Sequence, residues 1–311
     1  MTARRSAPRL WLARTLAPCL LALALLGCEE DVTAVLGTDY PYTLYGVLSP
    51  QLDSQWVRVY PVHGRLEPEP PAPLDAVFRS VDLQTDEEHV WRDSLVYDLD
   101  GHPAHVFWAP FRAAHGHTYR LIVERSDGAA STVETAVPPQ TEVVELEPAG
   151  PAVARILIAG GAPHLLGVEV EYTVDYRLFG LEGAPEGRLA IAYDERAVPS
   201  PEGWVIPVDL RRDYRTLVDT LVARGKRPVD ATYGVLLRNV SLRLIVANDA
   251  WDPPPGGFDP DVLVQPGVMT NVVNGFGYVV AGHRVRHDWV PPAEVVRAAG
   301  FRPLTGTGGA P

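Results

Sequence analysis

Gly116 to Pro139 reads GHTYRLIVERSDGAASTVETAVPP. Two β-runs, Thr118 to Arg125 and Ser131 to Val137, flank Asp127-Gly128, and an Asp-Gly pair between such runs is a strong hairpin signal. Pro138-Pro139 then ends the second run as a stiff joint. Upstream the same grammar repeats. Runs at Tyr42 to Val47, Gln55 to Val62, Ala76 to Leu83, Val90 to Tyr97 and Ala104 to Trp108 follow one another with short gaps. Those gaps leave no room for crossover helices, so the strands belong to an antiparallel sandwich, not a parallel sheet. In Gln55 to Val62, Val57, Val59 and Pro61 share one face and Trp56, Arg58 and Tyr60 the other. The proline-rich stretch at 66–73 must be loop, because prolines supply no N–H donor.

The expected fold is therefore mainly β. An immunoglobulin- or fibronectin-like β-sandwich over 40–138 is followed by a second β-rich domain over 139–290. Strands of the second part are expected at Glu142 to Leu146, Ala154 to Ile158, Val168 to Phe179 and Leu189 to Tyr193. One amphipathic helix interrupts them near 209–224. Asp209 caps it, and Leu210, Tyr214, Leu217, Val218, Leu221 and Val222 form its apolar stripe. Tyr233 to Ala247 reads as a strand or hairpin pair with Asn239 near the bend, and Asn271 to Arg286 as the closing strand. The remaining 291–311 reads as a short helix, Pro292 to Ala299, and a flexible tail.

The N-terminus carries an address. Arg4, Arg5, Arg9 and Arg14 precede an apolar run from Leu16 to Leu26, the pattern of a signal peptide over 1–27. The run is too short for the roughly 30 Å of bilayer hydrocarbon. Its end, Leu25-Leu26-Gly27-Cys28, resembles the lipobox of bacterial lipoproteins, which implies cleavage before Cys28 and acylation of Cys28. Two or more acyl chains anchor a soluble body durably, whereas one does so only marginally. The following Glu29, Glu30 and Asp31 open an acidic tether over 28–39 and resemble the export signal of surface lipoproteins. The expected location is the outer membrane, lipid-anchored and displayed on the cell surface, with a periplasm-facing position as the alternative.

The 311-residue chain has a formal charge of −12. All its acids lie beyond residue 27, so loss of the four leader arginines would leave −16. That sign argues against nucleic acid as a partner.

Three segments in order, YTLYGVLSP from Tyr42, the Gly116 to Pro139 hairpin, and NVVNGFGYVVAG from Asn271 to Gly282, follow the lipobox. Together they resemble the domain of unknown function 4249 family of Bacteroidota-type lipoproteins. The resemblance covers roughly residues 28–290. It implies an N-terminal immunoglobulin-like fold and a setting like that of accessory lipoproteins of TonB-dependent transporters. It brings no activity and no catalytic residues.

The residues point to no catalytic set, cofactor or metal. His102 with His105, and His115 with His117, are pairs where a zinc site needs three or four ligands. Asp98, Asp100 and Gly101 match only part of a calcium loop, and the Asp249 to Asp261 stretch is a looser acidic set. No nucleophile elbow accompanies any serine. Trp56, Trp91 and Trp108 are expected to fill the sandwich. Trp251 and Phe258, bracketing a proline-glycine loop, are the candidate binding aromatics. The expected function is non-enzymatic: a binding or assembly accessory to an outer-membrane barrel protein such as a TonB-dependent transporter. The alternative is capture of a glycan or nutrient.

Overall fold

A computed structural model describes residues 39–62, 72–97, 101, 103–175, 186–223, 235–251 and 270–303. Eight strands make the first sandwich: β1 (Tyr42–Leu48), β2 (Gln55–Pro61), β3 (Val77–Asp82), β4 (Glu88–Val90), β5 (Arg92–Tyr97), β6 (Pro103–Ala109), β7 (Thr118–Glu124) and β8 (Ala130–Ala136). One sheet runs β1-β2-β6-β5 and the facing sheet β4-β3-β7-β8. This is the immunoglobulin order of strands A-B-E-D against C′-C-F-G. The β7–β8 connection is a three-residue loop. Gly128 sits at φ 87° and the Arg125 N–H bonds the Ala129 carbonyl at 2.8 Å. A residue with a Cβ is disfavoured at that φ, which is why the Asp-Gly signal was informative.

Alternation sets the core. Leu44, Val57, Val59, Phe78, Phe107, Leu121, Val123 and Val133 all turn inward and are buried. Tyr119, the second residue of β7, accepts a hydrogen bond from the Ala114 N–H at 3.0 Å through its hydroxyl. That is the tyrosine corner expected at the start of strand F. Trp91 is buried as expected: its ring stacks on Phe78 at 4.4 Å and its indole N–H donates to Ser80 Oγ at 2.9 Å.

The second sandwich is built from β9 (Glu142–Gly150), β10 (Val153–Ala159), β11 (His164–Asp175), β12 (Glu186–Ala192), β13 (Val198–Ser200), β14 (Gly203–Asp209), β15 (Leu236–Ala247), β16 (Gly275–Trp289) and β17 (Arg302–Pro303). Its sheets run β13-β14-β10-β9 and β12-β11-β15-β16, with β17 beside the start of β15. Helix α1 (Leu210–Ala223) follows β14 and α2 (Ala293–Ala299) follows β16. Asp209 caps α1: its carboxylate accepts the N–H groups of Arg211 and Arg212 at 3.1 and 3.0 Å. Leu210, Leu217 and Leu221 are buried, but Val222 is largely exposed and leaves the expected stripe. Asn239 makes no bend. β15 is one continuous strand in which Asn239 pairs with Thr173. Residues 224–234, the Asp252 to Asp261 part of the acidic loop, and the tail from 304 lie outside the described residues.

Asp213 takes an inward position on α1 and is fully buried. Its carboxylate accepts hydrogen bonds from the hydroxyls of Tyr172 on β11 and Tyr193 and from Arg212 Nε at 2.8 Å. Burial, then the neighbouring charges, push both tyrosine hydroxyls above their ordinary pKa, so both stay protonated as donors. A buried carboxylate is tolerable only when saturated in this way.

β16 belongs to both halves. Gly275 to Ala281 pair in parallel with β1, and Gly282 to Trp289 pair antiparallel with β15. Val279 and Ala281 lie in the first core, Trp289 in the second. The closing strand of the second sandwich is thus also the fifth strand of one sheet of the first.

Two outcomes test this account. Gly277 lies at φ 91°, and a Cβ there would sit 2.1 Å from the Leu44 carbonyl oxygen. Gly277→Ala should therefore cost at least about 2 kcal/mol and loosen the β1–β16 pairing. Urea denaturation and amide exchange along β1 measure both. Asp213→Ala strands two buried hydroxyls and should cost about 2–4 kcal/mol, more than Tyr172→Phe at about 1 kcal/mol.

Candidate functional site

On β2 the residues between the inward valines are Trp56, Arg58 and Tyr60, and they face out. Register carries this row across four strands. Tyr45 on β1 lies opposite Arg58 on β2 and Tyr278 on β16, and Trp56 lies opposite Trp108 on β6. The result is an aromatic outer face on the sheet β16-β1-β2-β6. Trp56 and Trp108 stack at 5.8 Å, Tyr45 meets Tyr60 edge-on at 6.2 Å, and Tyr40 meets Phe276 edge-on at 5.3 Å. Arg58 lies over the Tyr60 ring at 4.1 Å and Arg92 over Trp108 at 5.4 Å. Tyr45 is 50% and Trp56 47% exposed. The expectation that the strand tryptophans fill the sandwich holds for Trp91 alone. Trp56 and Trp108 are on the outside, because alternation puts them opposite Val57 and Phe107.

Trp251 joins this face. Its ring lies 6.3 Å from that of Tyr278, and its backbone N–H donates to the Asn248 carbonyl at 3.0 Å. Its expected companion Phe258 lies outside the described residues, as do Cys28, Glu29, Glu30 and Asp31. The face that Trp251 borders was legible only in part: the Trp56-Arg58-Tyr60 row showed in the sequence, but nothing showed that β16 would add Phe276 and Tyr278 to it.

The histidines separate. His117 Nδ1 meets the Asp82 carboxylate at 2.7 Å, whereas His115 Nδ1 meets the Pro138 carbonyl at 2.9 Å. His105 is buried against Asp93 at 2.8 Å, and His102 lies outside the described residues. Among the described residues no three His, Cys, Asp or Glu side chains come together for a metal ion. No helix of the described residues is long and apolar enough to cross a membrane.

His115 instead meets a histidine that the sequence did not single out. Its ring stands edge-on to His283 of β16 at 4.9 Å, where the two sandwiches join. His283 is 6% exposed and its Nε2 contacts Thr141 Oγ at 3.1 Å, while its buried Nδ1 has no partner among the described residues. Burial first, and then His115, lower its pKa to about 4. A neutral His283 is thus favoured by folding. Above the unfolded value of about 6.5 it costs nothing, and stability falls as pH drops from there to about 4, by roughly 3 kcal/mol. His283→Gln should flatten that part of the stability–pH curve relative to the unaltered chain, as urea midpoints between pH 7 and pH 4 would read.

No protein-family model matches the chain, and no curated protein matches it in sequence. Among solved structures it is similar to a pullulanase from Anoxybacillus sp. LM18-11, at 12% identity and a TM-score of 0.21. The match covers 72% of this chain and 28% of the pullulanase.

Proposed function

We propose that the protein is a lipid-anchored, non-enzymatic surface protein that docks an envelope protein partner through the aromatic outer face of its first sandwich. The observation that carries this reading is the outward-facing row of Tyr45, Trp56, Arg58 and Tyr60, of which Tyr45 and Trp56 are half exposed, continued by Trp108 and Tyr278 on neighbouring strands. Tyrosine, tryptophan and arginine are the residues that dominate protein interfaces. They bury large area at low entropic cost and keep a polar handle. Acylation at Cys28 would hold this face near the bilayer on the 28–39 tether, within reach of an outer-membrane barrel such as a TonB-dependent transporter. The charge of −16 left after loss of the leader favours a partner that is not itself strongly acidic.

The test is co-purification from solubilised membranes. The unaltered chain should bring down an integral barrel protein. The double variant Tyr45→Ala, Trp56→Ala should lose it at least tenfold with little change in thermal midpoint, since both side chains are half exposed. Cys28→Ser should move the protein to the soluble fraction. Retention of the barrel by the double variant sinks the docking reading. A saturable tryptophan-fluorescence response to polysaccharides, lost with Trp56→Ala, would move the assignment to glycan capture.

A further inference from the structure

We propose that the outer edge of β16 beyond Ala281 is a docking edge for an extended peptide strand of a partner protein, one that alternates acidic and β-branched residues. β1 pairs with β16 only as far as Ala281, and among the described residues no strand continues beside β16 on that side. The next pairing position is taken by a side chain. The Gln51 amide donates to the Arg284 carbonyl at 2.7 Å and accepts the Arg284 N–H at 2.9 Å. A primary amide used in this two-way manner imitates a neighbouring peptide group. It also shows that Arg284 aims its backbone groups away from β15. Strand periodicity then aims those of Arg286 and Asp288 the same way, and among the described residues no backbone group or side chain bonds them.

An open edge is a template for strand addition, and proteins usually blunt or use it. Here it borders a cleft of about 550 Å³ at the junction of the sandwiches. The cleft is lined by Arg284, Arg286, His115 and His283 among its ionisable groups, with no carboxylate. Arg286 is engaged by Asp288 at 3.0 Å, but the exposed Arg284 makes no ion pair among the described residues. On the opposite side of the strand, Val285 and Val143 of β9 present apolar surface to the same cleft. An added strand would therefore place every second residue beside the arginines and the intervening ones over the valines. Backbone hydrogen bonds would give affinity, and the alternation would give selectivity. This edge is separate from the aromatic face and does not depend on it.

The probe is an acetylated, amidated hexapeptide of alternating Val and Glu, labelled for anisotropy and titrated into the full chain. Saturable binding is expected, with slowed amide exchange at Arg286 and Asp288. Arg286→Pro should weaken it at least tenfold, because it removes an outward N–H at an edge position where proline is tolerated. N-methylation of the probe on its pairing residues should weaken it equally, on the unaltered chain, so the test survives a variant that folds poorly. Lys in place of Glu in the probe should also lose at least tenfold. Absence of saturable binding, affinity that survives N-methylation, or equal affinity for the Lys probe overturns the assignment.

Discussion

One backbone, β16, satisfies two hydrogen-bond ladders that face opposite ways. Its first seven residues complete a parallel ladder with β1 and its last eight an antiparallel ladder with β15. Every buried peptide group needs a partner, so the strand cannot be withdrawn from one sandwich without exposing groups that the other sheet does not cover. Its side chains follow the same division, with Val279 packed in one core and Trp289 in the other. The two sandwiches are consequently coupled by covalent continuity of a strand as well as by contact. Of the buried polar atoms without a partner among the described residues, Arg58 Nε is on β2 and the other two are at the junction. The unpartnered nitrogen of His283 and the unpartnered amide oxygen of Asn248 are both buried there, next to the pairing of Asn248 with Ala281.

That sharing has a kinetic side. β1 lies more than two hundred residues before its partner strand. Closing so long a loop costs entropy before any contact repays it. The first sandwich can assemble its A-B-E-D and C′-C-F-G strands from local hairpins, but its sheet stays one strand short until β16 arrives. The aromatic face is subject to the same order. Tyr45, Trp56, Tyr60 and Trp108 are local to one sandwich, whereas Phe276 and Tyr278 join only with the last long strand.

Local order was legible in the sequence and shared order was not. The alternation of Gln55 to Val62 named the two faces of β2 correctly, and Asp209 with Leu210, Leu217 and Leu221 located α1. The three-residue strands β4 and β13 escaped because they give too little period to read, and the seven-residue β14 because Pro207 interrupts its run. Asn239 suggested a turn, but its side chain bonds Ser241 Oγ at 3.1 Å instead, and the strand continues past it with only a register shift against β11 at Arg238. Asp213 broke the apolar stripe of α1 without a visible reason. The reason is supplied by Tyr172 and Tyr193, twenty and more residues away, which no local pattern connects to it. Periodicity gives which residues share a face, but which face meets solvent depends on pairings set elsewhere. Trp56 and Trp108 fell on the wet side for that reason.

The ionisable groups divide by task. Deep carboxylates are saturated: Asp213 by two tyrosines and Arg212, Asp82 by His117 and the Gln84 N–H at 2.9 Å. For Asp82, burial raises the carboxyl's pKa, but those hydrogen bonds outweigh it and leave the value below the ordinary range. Such groups fix strands to one another and have no lone pair to spare for a ligand. Capacity for new contacts therefore lies with residues whose bonding is incomplete by geometry: half-exposed aromatics with Arg58 and Arg92 beside them, and the strand edge next to Arg284. Both surfaces present arginine on a body whose net charge is −12, so each is a local reversal of the overall field. An acidic segment would be repelled by most of the molecule and attracted only beside these arginines, which would restrict its approach before any contact forms.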